Sequence, residues 1–148
     1  MGELKELSLE RIVAIDPGAV HCGLAFFLGA NCYLVQEMAP EIMFYRLVTW
    51  IDEASVDTVV CESFHLYPWL SAEQSFSEMR TCEVIGVIKY LCELGKVKLV
   101  MQGADKKKVT ERHMAARGIE NKGNEVAGQH VKDACEHGWY YLLKGRTL

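Results

Sequence analysis

The sequence predicts an α/β fold: a mixed five-stranded sheet that opens with an antiparallel hairpin and carries helices on both faces. Three observations support this reading. Short apolar runs recur at 11–15, 22–28, 32–35, 58–61 and 97–101, several of them rich in β-branched residues. The second and third runs are separated only by Gly29-Ala30-Asn31, a hairpin turn. From there on, strands alternate with segments of helical periodicity, the order expected of crossover connections in a sheet covered on two sides.

A chain of 148 residues forms one domain, here 1–148, and is long enough to bury a core. Its 50% hydrophobic and 24% charged residues are ordinary for a soluble globular protein. No apolar run approaches the ~20 residues that span a bilayer. Met1-Gly2-Glu3-Leu4-Lys5 lacks the basic start and apolar stretch of a secretory signal, so a cytoplasmic location is expected. The six cysteines (22, 32, 61, 82, 92, 135) stand singly, without Cys-x-x-Cys, which reads as reduced thiols rather than disulfides or zinc ligands. The net charge of −4 does not advertise nucleic-acid binding, so any such role must come from a local basic surface.

In chain order, the first strand ends by delivering Asp16, and Pro17-Gly18 turns the backbone away. Open α/β sheets keep their sites at such strand ends. The hairpin comes next. Pro40 suits a first helical turn. Met43, Phe44, Leu47, Val48 and Ile51 then recur at helical spacing, giving an amphipathic helix from Glu41 to about Ala54. The strand at 58–61 ends in Glu62-Ser63, and an aromatic connection at 64–70 succeeds it. Ser71-Ala72-Glu73-Gln74 fits a capping box that opens a long helix, with Phe76, Met79, Val84, Val87, Ile88 and Leu91 on its buried side and Gly95 at its end. After the strand at 97–101, a basic helix runs over 105–117 until Gly118 stops it. A polar loop at 119–124 precedes the last helix, from about Glu125 to Lys144.

Asp16 and Glu62 each close an apolar strand, and neighbouring strands would set the two carboxylates side by side. Such a pair repels unless a proton or a cation lies between its members. On the last helix, His130, Asp133 and His137 stand at i, i+3 and i+7, hence on one face, while Val131, Ala134, Cys135 and Leu142 form an apolar face for the sheet. An oxygen-rich set of this kind favours Mg²⁺. One or two such ions, ~3.5–4 Å apart when paired, would suit phosphodiester hydrolysis, with His130 either ligating metal or positioning the attacking water. Lys106, Lys107 and Lys108, with Arg112 and Arg117 further along, would neutralise phosphates. Phe64, Tyr67 and Trp69 could stack on opened bases.

Ile15-Asp16-Pro17-Gly18 with Gly23 five residues on, the strand-end Glu62, and His130-x-x-Asp133 on the final helix together resemble the RuvC-type Holliday-junction resolvases. The likeness extends element by element over nearly the whole chain, and 104–109 is similar to the family's basic helix start after its fifth strand. The resemblance implies an RNase H-like fold and a catalytic, metal-binding quartet of Asp16, Glu62, His130 and Asp133. It also implies dependence on Mg²⁺ with Mn²⁺ able to substitute. The implied assembly is a homodimer that cuts two opposing strands of a four-way DNA junction symmetrically. In length and charge balance the chain is similar to compact viral members that process branched replication DNA, which would place it in the host cytoplasm. The family carries a junction-wedging aromatic three positions after its strand-end Glu. Here Phe64 is second and His65 third, so Phe64, Tyr67 and Trp69 all stand as candidates. The same carboxylates would serve a flap or RNA–DNA-hybrid nuclease, and a non-catalytic junction-binding protein would not need them. An actin-like ATPase also opens with Asp-x-Gly and a hairpin, but it needs a second domain that 148 residues cannot supply.

Overall fold

The computed structural model describes residues 10–64, 76–126 and 128–144. Tyr67, Trp69 and the capping box at 71–74 lie outside the described residues. Five strands, β1 (Arg11–Asp16), β2 (Cys22–Leu28), β3 (Asn31–Met38), β4 (Thr58–Glu62) and β5 (Lys98–Gln102), form one sheet in the order β3-β2-β1-β4-β5. The described helices are α1 (Pro40–Asp52), α2 (Phe76–Leu94), α3 (Lys106–Ala116) and α4 (Gln129–Leu143), with a 3₁₀ turn at Lys122–Glu125. The mixed sheet with its initial hairpin is the one the sequence predicts.

β1 is antiparallel to β2 and parallel to β4, and β4 is parallel to β5. As the central strand, β1 must be apolar on both faces, and its run of five buried apolar or acidic positions after Arg11 shows no alternation. Val13 and Ile15 point into the layer built by Met43 and Leu47 of α1 and Val84, Ile85 and Ile88 of α2. Ile12 and Ala14 point the other way, against Met114 of α3 and Val131, Ala134, Cys135, Trp139 and Leu142 of α4. Ile15 and Cys61 are partners across the parallel β1–β4 ladder, and both belong to the α1–α2 layer. The pleat therefore turns the next residue of each strand, Asp16 and Glu62, toward the face that α4 covers.

Two glycines let α4 lie close on the hairpin. A Cβ at Gly23 would collide with the backbone carbonyl of His130, and one at Gly138 would collide with the Phe27 ring. The glycine five residues after Gly18 is thus the notch into which the first turn of α4 settles. At the opposite end of the sheet, Arg11 clamps Asp57 through two side-chain hydrogen bonds of 3.0 and 2.8 Å, joining the starts of β1 and β4.

The observed boundaries differ from expectation in several places, α1 among them, which ends at Asp52 rather than at about Ala54. β3 extends from Asn31 to Met38 rather than 32–35, because pairing with the whole of β2 continues past its apolar centre. β5 is shifted one residue toward Gln102. The last helix begins at Gln129, not Glu125. Gly128, at φ +127, stands in a backbone conformation no helix uses, and residues 122–125 instead close a tight turn around the Asn121 side chain, which accepts the Gly123 N–H at 2.8 Å. All six cysteines are free thiols, and Cys22, Cys61, Cys92 and Cys135 are buried. No described helix is long and apolar enough to cross a membrane.

Candidate metal centre and active site

Asp16, Glu62 and Asp133 bring oxygen atoms together so that all lie within 4.8 Å of one another. Two arrive from the adjacent ends of parallel strands, and the third from the second turn of α4. Asp16 is 6% exposed. Burial pushes its carboxyl well above the ordinary carboxylate range. The hydrogen bond with His130 pulls against this, and neighbouring Glu62 adds to the rise. Burial acts the same way on Glu62, but hydrogen bonds from His137 and Asp16 and the charge of Lys107 outweigh it, and Glu62 is held below its ordinary range. The pair is therefore split: burial moves Asp16 up, and its hydrogen-bond and charge partners hold Glu62 down.

Lys107 supplies the positive charge in this cluster. Its Nζ lies 3.1 Å from Asp133 Oδ2 and 3.4 Å from Glu62 Oε1. Burial opposes the charged ammonium, yet Asp133 and Glu62 more than compensate and raise its pKa. The other basic residues of α3 are placed differently. Successive helical residues point about 100° apart, so three in a row cannot share one face. Lys108 and Arg112 are exposed, whereas Lys106 pairs with Asp105 at 3.2 Å and its Nζ lies 5.8 Å from the Tyr140 ring centre. Arg117, also exposed, donates to the His113 carbonyl at 2.9 Å.

His130 stands on the open side of Asp16, with Nδ1 2.8 Å from Oδ2 and its side chain 41% exposed. The bond to Asp16 raises its pKa against the effect of burial. Gln129 Nε2 donates to Asp133 Oδ1 at 2.8 Å and orients that carboxylate. Phe64, two residues past the end of β4, is 37% exposed beside the cluster's strand end. A groove of about 600 Å³ runs from Asp133 between α3 and α4, and its charges are mixed: Lys107, Lys108 and Lys132 face Glu111, Glu120 and Glu136.

The roles of two neighbours of Glu62 escaped the sequence reading. His137 is fully buried, with Nε2 3.1 Å from Glu62 Oε2 and Nδ1 2.8 Å from Gln102 Oε1. Gln102 is the register partner of Glu62 on β5. The signal for Gln102 lay in its place, one polar residue after an apolar strand that runs parallel to β4. For His137 it lay in the four-residue step from Asp133.

The donor set fits a hard divalent cation. Its ligand atoms are carboxylate oxygens, and the ammonium of Lys107 stands among them as a cation does. His130 is not among those oxygens but hydrogen-bonds one of them.

A sheet ordered 3-2-1-4-5 with its first three strands antiparallel, its acidic residues on the ends of the central pair, and a closing helix that adds another has the RNase H-like fold. Within that class the likeness is to RuvC. Thermus thermophilus RuvC in complex with a Holliday-junction substrate matches with a TM-score of 0.66 at 12% identity, over 91% of this chain and 96% of that one. A second Thermus thermophilus RuvC structure matches with a TM-score of 0.60 at 14% identity, over 88% of this chain and 95% of that one. The RuvC-like fold implied by the motif order is the fold this chain adopts. No protein-family model and no curated protein matches the sequence.

Proposed function

We propose that this chain is a single-domain, metal-dependent endonuclease of branched DNA, a Holliday-junction resolvase acting in the cytoplasm. The observation that carries the reading is the convergence of Asp16, Glu62 and Asp133 at the ends of two parallel strands. A divalent ion, Mg²⁺ or Mn²⁺, held by these three residues would supply activation of water and neutralisation of charge at the scissile phosphate. Asp16 loses its proton when it takes up this role. His130, on the exposed side of Asp16, accepts a proton from the attacking water or completes the ligand set. Lys107 offers its charge to the phosphate from within the cluster. Lys108 and Arg112, one turn apart on α3, hold one stretch of phosphates and Lys106, at the start of that helix, holds another, and Phe64 stacks on a base opened at the junction.

Paired cuts require two such sites. α2 leaves Phe76 and Met79, which the sequence reading expected on its buried side, exposed together with Tyr90 and Leu94 in one stripe of the helix, and Ile42 and Tyr45 of α1 are exposed too. An apolar surface of this kind suits a twofold homodimer.

The test is incubation of the protein with end-labelled four-way, Y-shaped and linear duplexes in Mg²⁺ and in EDTA. Symmetric nicks in opposing strands of the four-way junction, seen only with Mg²⁺, are expected. Equal cutting of linear duplex, or cutting in EDTA, would overturn the assignment. Cutting confined to RNA–DNA hybrids would move the same site to a different substrate.

A further inference from the structure

We infer that His137 is a positioning residue for Glu62, locked in turn by Gln102; this rests on the metal-dependent reading of the carboxylate cluster. His137 has no exposed surface, so both ring nitrogens need partners inside the protein. They find them on adjacent strands: Nε2 is 3.1 Å from Glu62 Oε2 and Nδ1 is 2.8 Å from Gln102 Oε1. An ionised carboxylate only accepts, so Nε2 carries the hydrogen and donates it to Glu62. Among the described residues, Gln102 Nε2 otherwise finds no partner. A half-turn of that amide exchanges its oxygen and nitrogen, gives the orphaned N–H₂ the ring nitrogen Nδ1 as acceptor, and fixes the Nε2–H form of His137.

The backbone makes this clamp rigid. Glu62 and Gln102 face each other in the β4–β5 ladder, so their side chains leave the sheet together. The Ser63 N–H donates to the Gln102 carbonyl at 2.7 Å and extends the pairing past the strand end. α4 presses the ring down from above, because Gly138 lets the helix approach Phe27. With Oε2 tied, Glu62 presents Oε1 to the cluster, where Lys107 Nζ already lies 3.4 Å away. Groups that hold a metal's carboxylate ligand in this manner are worth roughly 10–100-fold in metal affinity.

The experiment is Mn²⁺ titration of the DNA-free protein by paramagnetic resonance, with wild type, Asp133→Asn, His137→Leu, His137→Gln and Gln102→Met. His137→Leu is expected to weaken Mn²⁺ by roughly 10–100-fold. His137→Gln, which restores an N–H near the position of Nε2, recovers most of that loss, and Gln102→Met gives a smaller loss. In cleavage assays the Mg²⁺ needed for half-maximal rate rises in His137→Leu, while junction affinity in EDTA does not change. Wild-type Mn²⁺ affinity in His137→Leu would overturn the inference. If His137→Leu does not fold, Gln102→Met decides: weakened Mn²⁺ supports the clamp, and unchanged Mn²⁺ overturns it. A wild-type protein that binds no Mn²⁺, or binds it equally in Asp133→Asn, would instead reject the metal centre itself.

Discussion

Asp16 is a carboxylate that burial would keep neutral and that the site needs ionised, and that tension defines the residue scale of this protein. Asp16→Asn removes the ionisable group while keeping its shape and hydrogen-bonding capacity. Loss of a metal ligand at a phosphoryl centre removes several kcal/mol of transition-state stabilisation, so Mg²⁺-dependent cleavage should fall by at least ~10²-fold. Junction binding, monitored by gel shift in EDTA, should survive or tighten, because less negative charge then meets the phosphates. Glu136, three residues past Asp133 in the groove, is pushed up to about 7 by burial and by the charges of Asp133 and Glu111. A carboxyl raised in the folded state contributes stability that is full below its unfolded value of 4.5 and is lost as pH climbs through about 7. Thermal melts of the metal-free protein should therefore show Glu136→Gln more stable than wild type at pH 8, with the advantage gone near pH 4. The four acidic and histidine positions were legible as candidates because two close apolar strands and two share a helix face, and the resemblance to RuvC-type resolvases joined them into one set. The roles of Lys107, His137 and Gln102 were not. They depend on which way one lysine of three points, how deep α4 sits, and how β5 registers on β4.

Among the elements, α4 carries most of the consequences. It brings His130, Asp133 and His137 to the sheet, and it reaches the sheet because of Gly23 and Gly138. Gly138→Ala would drive a methyl into the Phe27 ring, and overpacking of this kind costs about 1–3 kcal/mol. Urea unfolding should show that loss. Mg²⁺ demand in cleavage should rise beyond what the lower stability explains, since the neighbouring His137 moves with the backbone. The apolar stripe of α4 was plain from Val131, Ala134, Cys135 and Leu142, whereas its start was not. The expected start at Glu125 is too early because Val126 is extended, at φ −124 and ψ 140, and Gly128 lies at φ +127, so the helix opens only at Gln129. Helix periodicity reports which residues face a core; it does not report where a backbone bends out of the helical region.

For the whole molecule, the order of apolar runs was enough to forecast the sheet, because a central parallel pair buried on both sides demands unbroken hydrophobic strands. Assembly is a separate matter, governed by what the surface leaves uncovered. If the exposed stripe of α2 joins two copies, Tyr90→Lys with Leu94→Glu should shift the sedimenting species from dimer to monomer. Junction cuts should then become single, uncoordinated nicks at an otherwise intact site. Unchanged sedimentation would assign the stripe some other task.

His130 and Asp16 meet across 114 positions of sequence. During translation, the strands that carry Asp16 and Glu62 leave the ribosome well before the helix that carries Asp133. A nascent chain can thus complete its hairpin and central sheet while it still holds only part of the cluster. Asp133 joins Asp16 and Glu62 only when α4 docks, so a chain cut before Gln129 should fold its hairpin and central strands yet bind no Mn²⁺ in titration.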